Sequence, residues 1–259
     1  MREATEGGEH GGRLVLVGSH LRRRGRVLDG QRRERLARAV AGSTASPGRA
    51  GWAQALCEVC VRVLTGVDAA AMTLRTRSRA QELLGASERW AAVLEELQYT
   101  AGEGPGVAAF TTGEPVLVAD LSARRERWPG FADLAEGEGL AAACAFPLQL
   151  GGIRLGTLTL YRRRPGGLPP DVVTDAAVLA DLTVLALLDH GRAGTGGLRV
   201  EVSYQDVNIA TGMLSAQLRI SLEDSFARLR AHAFASRRSV LDVARDVLAR
   251  RLPLDRLAD

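Results

Sequence analysis

The sequence has no lysine, and all 34 of its lysine-or-arginine positions are arginine. A P-loop needs a lysine on the nucleotide phosphates, a protein kinase needs one on its third strand, and a Schiff-base site needs a lysine amine. The chain therefore excludes these three kinds of site in their standard form. A receiver domain, which also depends on a lysine, is excluded for the same reason.

Cysteine and histidine are scarce. Cys57, Cys60 and Cys144 lie in apolar segments and are too few for a disulfide framework. Cys57 and Cys60 have no neighbouring histidine with which to close a zinc site, so core packing is the favoured interpretation. No histidine occurs between residues 49 and 189, which argues against a histidine-ligated haem there. We expect a reducing intracellular compartment, no metal and no cofactor.

Long apolar runs and catalytic motifs are also missing. No apolar stretch approaches the roughly 20 residues that a membrane-spanning helix needs, and the N-terminus does not resemble a signal peptide. The sequence contains no Gly-x-Ser-x-Gly or His-Glu-x-x-His motif and no convincing pair of catalytic carboxylates. These absences predict a cytoplasmic protein without a membrane partner, which is not an enzyme and has no catalytic residues.

The residues that are present divide the chain into segments. The net charge of +4 and the pI of about 9.5 are compatible with a polyanionic partner. Residues 1–48 are rich in glycine and arginine and bury little apolar area, which predicts a disordered arm. Such an arm can add nonspecific affinity for phosphate, although a simple solvated tail explains it as well.

Residues 49–190 alternate between helical and strand-like patterns. Two apolar runs, 142–150 and 153–161, are separated by Gly151 and Gly152, which predicts a β-hairpin. Ser87 is expected to cap a helix, and residues 102–106 are expected to form a loop across the mouth of a pocket. The order of elements predicts an α+β domain with an antiparallel sheet between helices.

The pattern becomes all-helical after residues 191–198, which resemble a glycine-rich hinge. Residues 199–253 predict three short helices that form an all-α bundle, and residues 254–259 are expected to be a tail. Ser221 and Ser239 each precede an aspartate by three residues, as a helix-capping serine does. The predicted apolar face of the first helix contains Val207, Ala210, Leu214 and Leu218, and that of the second contains Leu222, Phe226, Leu229 and Ala233.

Three stretches of the bundle resemble the ANTAR family: residues 208–217 (NIATGMLSAQ), 229–233 (LRAHA) and 240–244 (VLDVA). Residues 49–190 resemble a GAF domain of the kind fused to ANTAR modules. The matching pieces are residues 97–100 (LQYT), 102–105 (GEGP), 115–121 (PVLVADL), 127–129 (RWP) and 146–148 (FPL), and the segment that leads through Gly156 to residues 160–162 (LYR). GAF domains are sensory modules that bind small ligands or mediate dimerisation.

The resemblance implies a GAF-ANTAR transcription regulator of the antitermination type. Its bundle would bind stem-loops with hexanucleotide loops in nascent RNA. Its GAF-like domain would respond to an unidentified small ligand or regulatory protein, and the chain would form a homodimer. The candidate RNA-binding residues are Asn208, Ala210, Thr211, Gly212, Ser215, Arg228, Arg230, His232, Arg237 and Arg238.

Two departures from the family pattern limit these expectations. Gly106 and Ala108 stand where relatives often have a cysteine and an acidic residue, which weakens the case for a polar ligand site there, so the ligand-binding residues stay unknown. Thr211 stands where many relatives have a basic residue, which removes one candidate phosphate contact. Gly212 within a helix costs about 1 kcal/mol against alanine, and either close approach of RNA or tight helix packing explains its presence.

Two other functions fit the same residues. The bundle can be a dimerisation or partner-docking module that never contacts nucleic acid. Arginines clustered beside Gly212 would favour RNA, whereas an uncharged apolar face there would favour protein contact. A small-molecule enzyme on the GAF-like scaffold would need convergent polar groups in a pocket, and the apolar strands offer few.

Overall fold

The structure is a computed structural model that describes residues 26–44, 51–75, 81–192 and 202–257. Most of the glycine-rich stretch at 191–198 therefore lies outside the described residues. The helices are α1 (Arg26–Thr44), α2 (Trp52–Val63), α3 (Arg89–Ala101), α4 (Pro105–Thr112), α5 (Pro129–Gly137), α6 (Pro170–Arg192), α7 (Gln205–Leu218), α8 (Leu222–Ala235) and α9 (Val240–Leu248). The strands are β1 (Ala69–Arg75), β2 (Gln81–Ala86), β3 (Val116–Val118), β4 (Ala142–Leu150), β5 (Ile153–Arg162) and β6 (Val202–Ser203).

The strands form one antiparallel sheet in the order β3-β4-β5-β1-β2-β6. The predicted hairpin is confirmed, since Leu150 pairs with Ile153 across the Gly151–Gly152 turn. β5 and β1 approach closely at Gly156, where a Cβ atom would lie 2.0 Å from the Thr73 carbonyl oxygen. A side chain at this position would separate the two central strands.

Helices cover both faces of the sheet, and α1 to α6 with β1 to β5 are here called the sheet domain. Side chains of a strand alternate between its faces, so Met72 of β1 packs towards α1, α2 and α6, whereas Ala71 packs towards α3, α4 and α5. At Gly85 a Cβ atom would lie 2.4 Å from the Gln54 backbone nitrogen, so α2 can lie against β2 only because this residue is glycine. The predicted α+β class is confirmed.

The prediction that residues 1–48 are disordered is wrong for the described part of that segment. α1 spans Arg26–Thr44, and Leu36 is buried with 1% of its surface exposed. Arg32 and Arg35 both form ion pairs with Asp175 of α6. The local sequence is polar, but these contacts with a helix far along the chain stabilise α1.

Ser87 does not cap a helix, because its hydroxyl accepts a hydrogen bond from the Ala70 backbone nitrogen at 2.9 Å. The segment 102–106 is also not a loop throughout. Gly102 ends α3 in the left-handed region with φ of 69°, and α4 begins at Pro105. The carboxylate of Glu103 accepts hydrogen bonds from the backbone nitrogens of Gly130 and Phe131, so it caps the N-terminus of α5.

α7, α8 and α9 form a three-helix bundle with a core of its own. Ser221 and Ser239 cap α8 and α9 as predicted, each accepting a hydrogen bond from the backbone nitrogen three residues on. Leu222 was expected in the core but is 62% exposed, because it is the first residue of α8 and points away from the other two helices. In the expected tail, residues 254–257 form a 3₁₀ turn whose Leu257 packs into the bundle.

In the part of the chain that the structure describes, no helix is both long and apolar enough to span a bilayer. Over the same residues, no three histidine, cysteine or acidic side chains are grouped so that they could hold a metal ion. Cys57, Cys60 and Cys144 are buried thiols, and none of the three forms a disulfide. Burial raises the pKa of Cys60 to about 12 and that of Cys144 to about 11, so neither thiol is activated as a nucleophile.

Candidate functional site

The first helix of the bundle carries half of the predicted RNA-binding residues, and two of these point inward. Ala210 is fully buried, and Thr211 is 8% exposed with its hydroxyl donating to the Val207 carbonyl oxygen at 2.7 Å. Their side chains are therefore closed to a ligand in this structure, because they pack in the bundle core. Ser215 is half-buried, and its hydroxyl donates to the Ile220 carbonyl oxygen at 2.7 Å.

Asn208 and Gly212 lie on the outer surface of α7. Asn208 is exposed, and a Cβ atom added at Gly212 would meet nothing within 4 Å. Helix packing therefore does not explain Gly212, since no neighbouring helix comes close enough to need it. The surface around it contains Ile209 and Met213, which are 46% and 37% exposed. Around Gly212, α7 therefore presents an open surface with apolar side chains.

The predicted arginines of α8 make contacts within the protein. Arg228 donates to the carbonyl oxygen of Leu257 at 3.1 Å, which ties α8 to the end of the bundle. Arg230 donates through Nε to the carbonyl oxygen of Thr100 at 2.9 Å and through Nη2 to that of Ala101. Thr100 and Ala101 end α3, where a helix has unpaired carbonyl oxygens and favours a cation. Arg230 thus joins the bundle to the sheet domain.

The remaining candidates lie at the end of α8 and in the turn before α9. His232 is half-buried, and Arg237 and Arg238 are exposed. Arg238 forms an ion pair with Asp246 at 2.7 Å, and this contact together with Arg251 holds the pKa of the Asp246 carboxyl below its usual range. Arg230, Arg237 and Arg238 therefore lie on the side of the bundle that faces α3, whereas Asn208 and Gly212 lie on exposed α7.

The bundle rests on α3 through an aromatic cluster and a hydrogen bond. Tyr99 of α3 packs against Tyr204 and Phe226, with ring centroids 4.4 Å and 5.4 Å away. The Val240 backbone nitrogen donates to the Thr100 hydroxyl at 3.2 Å. β6 pairs with the outer edge of β2 immediately before α7 begins. We call this contact the junction.

A groove lines one side of the junction. Apolar side chains of α3, α5 and α8 form its walls: Val93, Leu97, Leu134 and Phe234. Its polar lining includes Glu96, whose pKa is raised chiefly by burial and lowered in part by a hydrogen bond with Ser239. Arg237 and Arg238 also line the groove, so the Glu96 carboxylate lies in a lining that contains basic as well as apolar side chains.

The inner side of α3 contains a buried polar cluster that the sequence did not reveal. The Glu95 carboxylate is fully buried and accepts hydrogen bonds from the Thr73 hydroxyl at 2.9 Å, the Arg75 guanidinium at 2.8 Å and the Tyr161 hydroxyl at 2.7 Å. Burial, followed by the Glu95 charge, raises the pKa of Tyr161 well above its usual value. Gln98 continues the network by accepting from the Gly106 backbone nitrogen at 2.7 Å. One helix thus connects this cluster to the junction.

Comparison with known proteins divides the chain at the same place. A family model described as GAF domain matches residues 50–188, and a model described as ANTAR domain matches residues 203–248. Their order is that of the predicted GAF-ANTAR fusion, which is thereby confirmed. No curated protein matches the chain.

Several solved structures resemble part of this chain at low sequence identity. The GAF domain of an Acinetobacter phosphoenolpyruvate-protein phosphotransferase is 14% identical, with a TM-score of 0.48 over 66% of this chain and 98% of that one. The free methionine-R-sulfoxide reductase of Neisseria meningitidis is 15% identical, with a TM-score of 0.47 over 63% and 92%. A domain of a Sinorhizobium meliloti sensor histidine kinase protein is 20% identical, with a TM-score of 0.40 over 54% and 93%. On the family-model matches, the chain belongs to the GAF domain family, and its GAF domain is followed by an ANTAR domain.

Proposed function

We propose that this protein is a transcription regulator whose ANTAR bundle binds RNA stem-loops with hexanucleotide loops and promotes antitermination. The chain combines a GAF domain with an ANTAR domain, and this combination supports a sensor joined to an RNA-binding module. The observation that carries the proposal is the open surface at Gly212, where a Cβ atom would meet no described atom beyond the adjoining backbone of α7 within 4 Å. Sequence-specific RNA binding targets unpaired loop bases, which need such a surface for close approach.

The junction supports control of this binding by the GAF domain. Arg230 donates to two carbonyl oxygens of α3, so this predicted RNA contact is occupied while the bundle is docked. α3 also contains Glu95 and Gln98, which belong to the buried cluster of the GAF domain. A ligand or partner that shifts α3 would change the junction, and with it the availability of Arg230.

The test uses the full chain and a fluorescein-labelled RNA with two stem-loops, each with a hexanucleotide loop. Fluorescence anisotropy should give at least about tenfold tighter binding than to the same stems with scrambled loops, since loop bases carry the sequence-specific contacts. Gly212→Leu should remove this preference by covering the open surface. Equal affinity for both RNAs would contradict stem-loop recognition.

A second function is favoured by the chemistry of the same surface. The residues beside Gly212 include the exposed apolar side chains of Ile209 and Met213, which suit protein contact better than phosphate contact. In this function the α7 face joins two chains into a homodimer. Light scattering of wild type and Ile209→Glu would separate the two functions. A dimer that dissociates in the variant supports docking through α7, whereas an unchanged mass leaves this face available to RNA.

A further inference from the structure

The bundle has one end docked on the GAF domain and one end that faces away from it. The docked end contains Tyr204 and Val240, which contact α3. At the opposite end, Gln217 of α7 donates to the Asp255 carboxylate at 3.5 Å, and Arg228 donates to the Leu257 carbonyl oxygen at 3.1 Å. These contacts bring the end of α7 together with the 3₁₀ turn that follows α9. We call this the free end.

Backbone conformation at the helix ends of the bundle is unusual. In the described residues, the non-glycine residues with positive φ are Arg219 at 54°, Arg237 at 52° and Arg250 at 56°. They follow the last residues of α7, α8 and α9 closely. The left-handed conformation brings the Cβ atom of an L-residue too close to the backbone, so glycine or asparagine usually occupies such positions. Backbone preference therefore does not explain why arginine occupies these three positions.

Two of these arginines lie at the free end. Arg219 and Arg250 are exposed, and so is Arg256 in the 3₁₀ turn. Across the described ranges, none of these three guanidinium groups forms a hydrogen bond or an ion pair. This distinguishes them from Arg228, Arg230 and Arg238, whose side chains have partners within the protein.

A structural role does not account for the strained arginines. A cation near the end of a helix offsets the helix dipole, but an arginine one residue earlier would do so without a positive φ. The free end is also not simply basic, since it includes the carboxylates of Glu223, Asp224 and Asp255. A guanidinium fork at fixed positions matches phosphate geometry, which a diffuse positive charge does not.

We propose that Arg219, Arg250 and Arg256 form a surface that contacts the phosphate backbone of bound RNA. This inference rests on the proposed RNA-binding function and adds to it a site at the C-terminal end of α7, separate from Gly212 and from the junction. Phosphate contacts set the register and orientation of a nucleic acid, whereas base contacts specify its sequence. The free end would thus hold the stem while the loop bases are read elsewhere. Arg219 and Arg250 follow the C-terminal ends of α7 and α9, whereas the N-terminal ends of these helices contact α3, so the two arginines can engage RNA while the bundle stays docked.

The experiment measures the salt dependence of RNA binding by the full chain. The probe is the fluorescein-labelled double stem-loop RNA, titrated at about 50 mM and 200 mM salt. A variant that removes one phosphate interaction should reduce the ratio of the two affinities by about 3.5-fold. Arg219→Gly and Arg250→Gly should each show this reduction and should melt at the same or a higher temperature, because glycine relieves the positive φ.

Two further variants separate charge from conformation. Arg219→Lys keeps the charge and the strain, so it should retain most of the salt dependence that Arg219→Gly loses. Arg89→Gln removes an exposed arginine from the first turn of α3 and should leave the salt dependence unchanged. Wild-type salt dependence in the double variant Arg219→Gly/Arg250→Gly would overturn the phosphate surface while leaving RNA binding intact. A lower melting temperature in the glycine variants would show that the arginines are structural, and a wild type that binds no RNA would overturn the proposed function itself.

Discussion

Replacing Arg230 by glutamine should release the bundle from α3. The wild-type guanidinium donates to the carbonyl oxygens of Thr100 and Ala101, and the two oxygens would lose their charged partner. Hydrogen bonds to a charged group contribute about 1.5–3 kcal/mol, and for half-buried Arg230 we expect about 2 kcal/mol. That free energy corresponds to about a 30-fold change in the equilibrium between docked and undocked bundle.

The Val240 amide reports this equilibrium. It is the first residue of α9, so its N–H has no acceptor within the helix, and it donates instead to the Thr100 hydroxyl across the junction. Hydrogen exchange at Val240 should accelerate by about 30-fold in Arg230→Gln, which NMR can measure. Arg228→Gln is the matched control, because Arg228 bonds Leu257 within the bundle. Unchanged exchange in Arg230→Gln, or equal acceleration in both variants, would refute the reasoning.

Three further predictions concern the GAF domain. Gly85→Ala should lower the free energy of unfolding by about 1–3 kcal/mol in urea denaturation, because the added Cβ atom would clash with the backbone of α2. Gly30→Ala is the control: its Cβ atom would lie in open space, so it should stabilise α1 by about 0.5–1 kcal/mol. Equal effects of the two substitutions would contradict this packing. Glu95→Gln should cost about 3–5 kcal/mol by leaving Arg75 buried without its counter-charge, and a change below about 1 kcal/mol would show that the pair is not buried in solution. Burial raises the pKa of Cys60 from 9.0 to about 12, so the stabilisation that comes from burying the neutral thiol is present below pH 9 and is lost as the pH rises towards 12. At pH 8, a thiol reagent should label Cys60 much more slowly in the native protein than in denaturant.

Local signals predicted the elements whose causes are local. Gly151 and Gly152 specify a tight turn between two apolar runs, and the hairpin forms there. Ser221 and Ser239 cap their helices through hydrogen bonds that span three residues. The apolar spacing of α7 placed Val207 and Leu214 correctly in the core. Neighbours close in sequence determine each of these features.

Contacts between distant residues were not predictable in the same way. α1 has a polar sequence, and its stability depends on Asp175, which is about 140 residues away. The sequence does not mark Glu95 as a buried residue, because a glutamate in a helix normally faces solvent. Only the fold brings Arg75 and Tyr161 to its carboxylate. Arg230 has the same limitation, since its partners lie in another domain.

The short strand β6 makes the boundary between the two domains less clean than their family matches suggest. It follows the glycine-rich segment in sequence, yet Glu82 and Leu83 of the GAF domain pair with it. A GAF fragment that ends at residue 190 would leave this edge of β2 bare, and an unpaired strand edge is a template for aggregation. A bundle fragment would in turn expose Tyr204, which Tyr99 covers in the whole protein. Separating the two domains therefore exposes an aggregation-prone surface on each fragment. Binding or oligomerisation measured on the fragments would reflect these exposed surfaces as well as the native function.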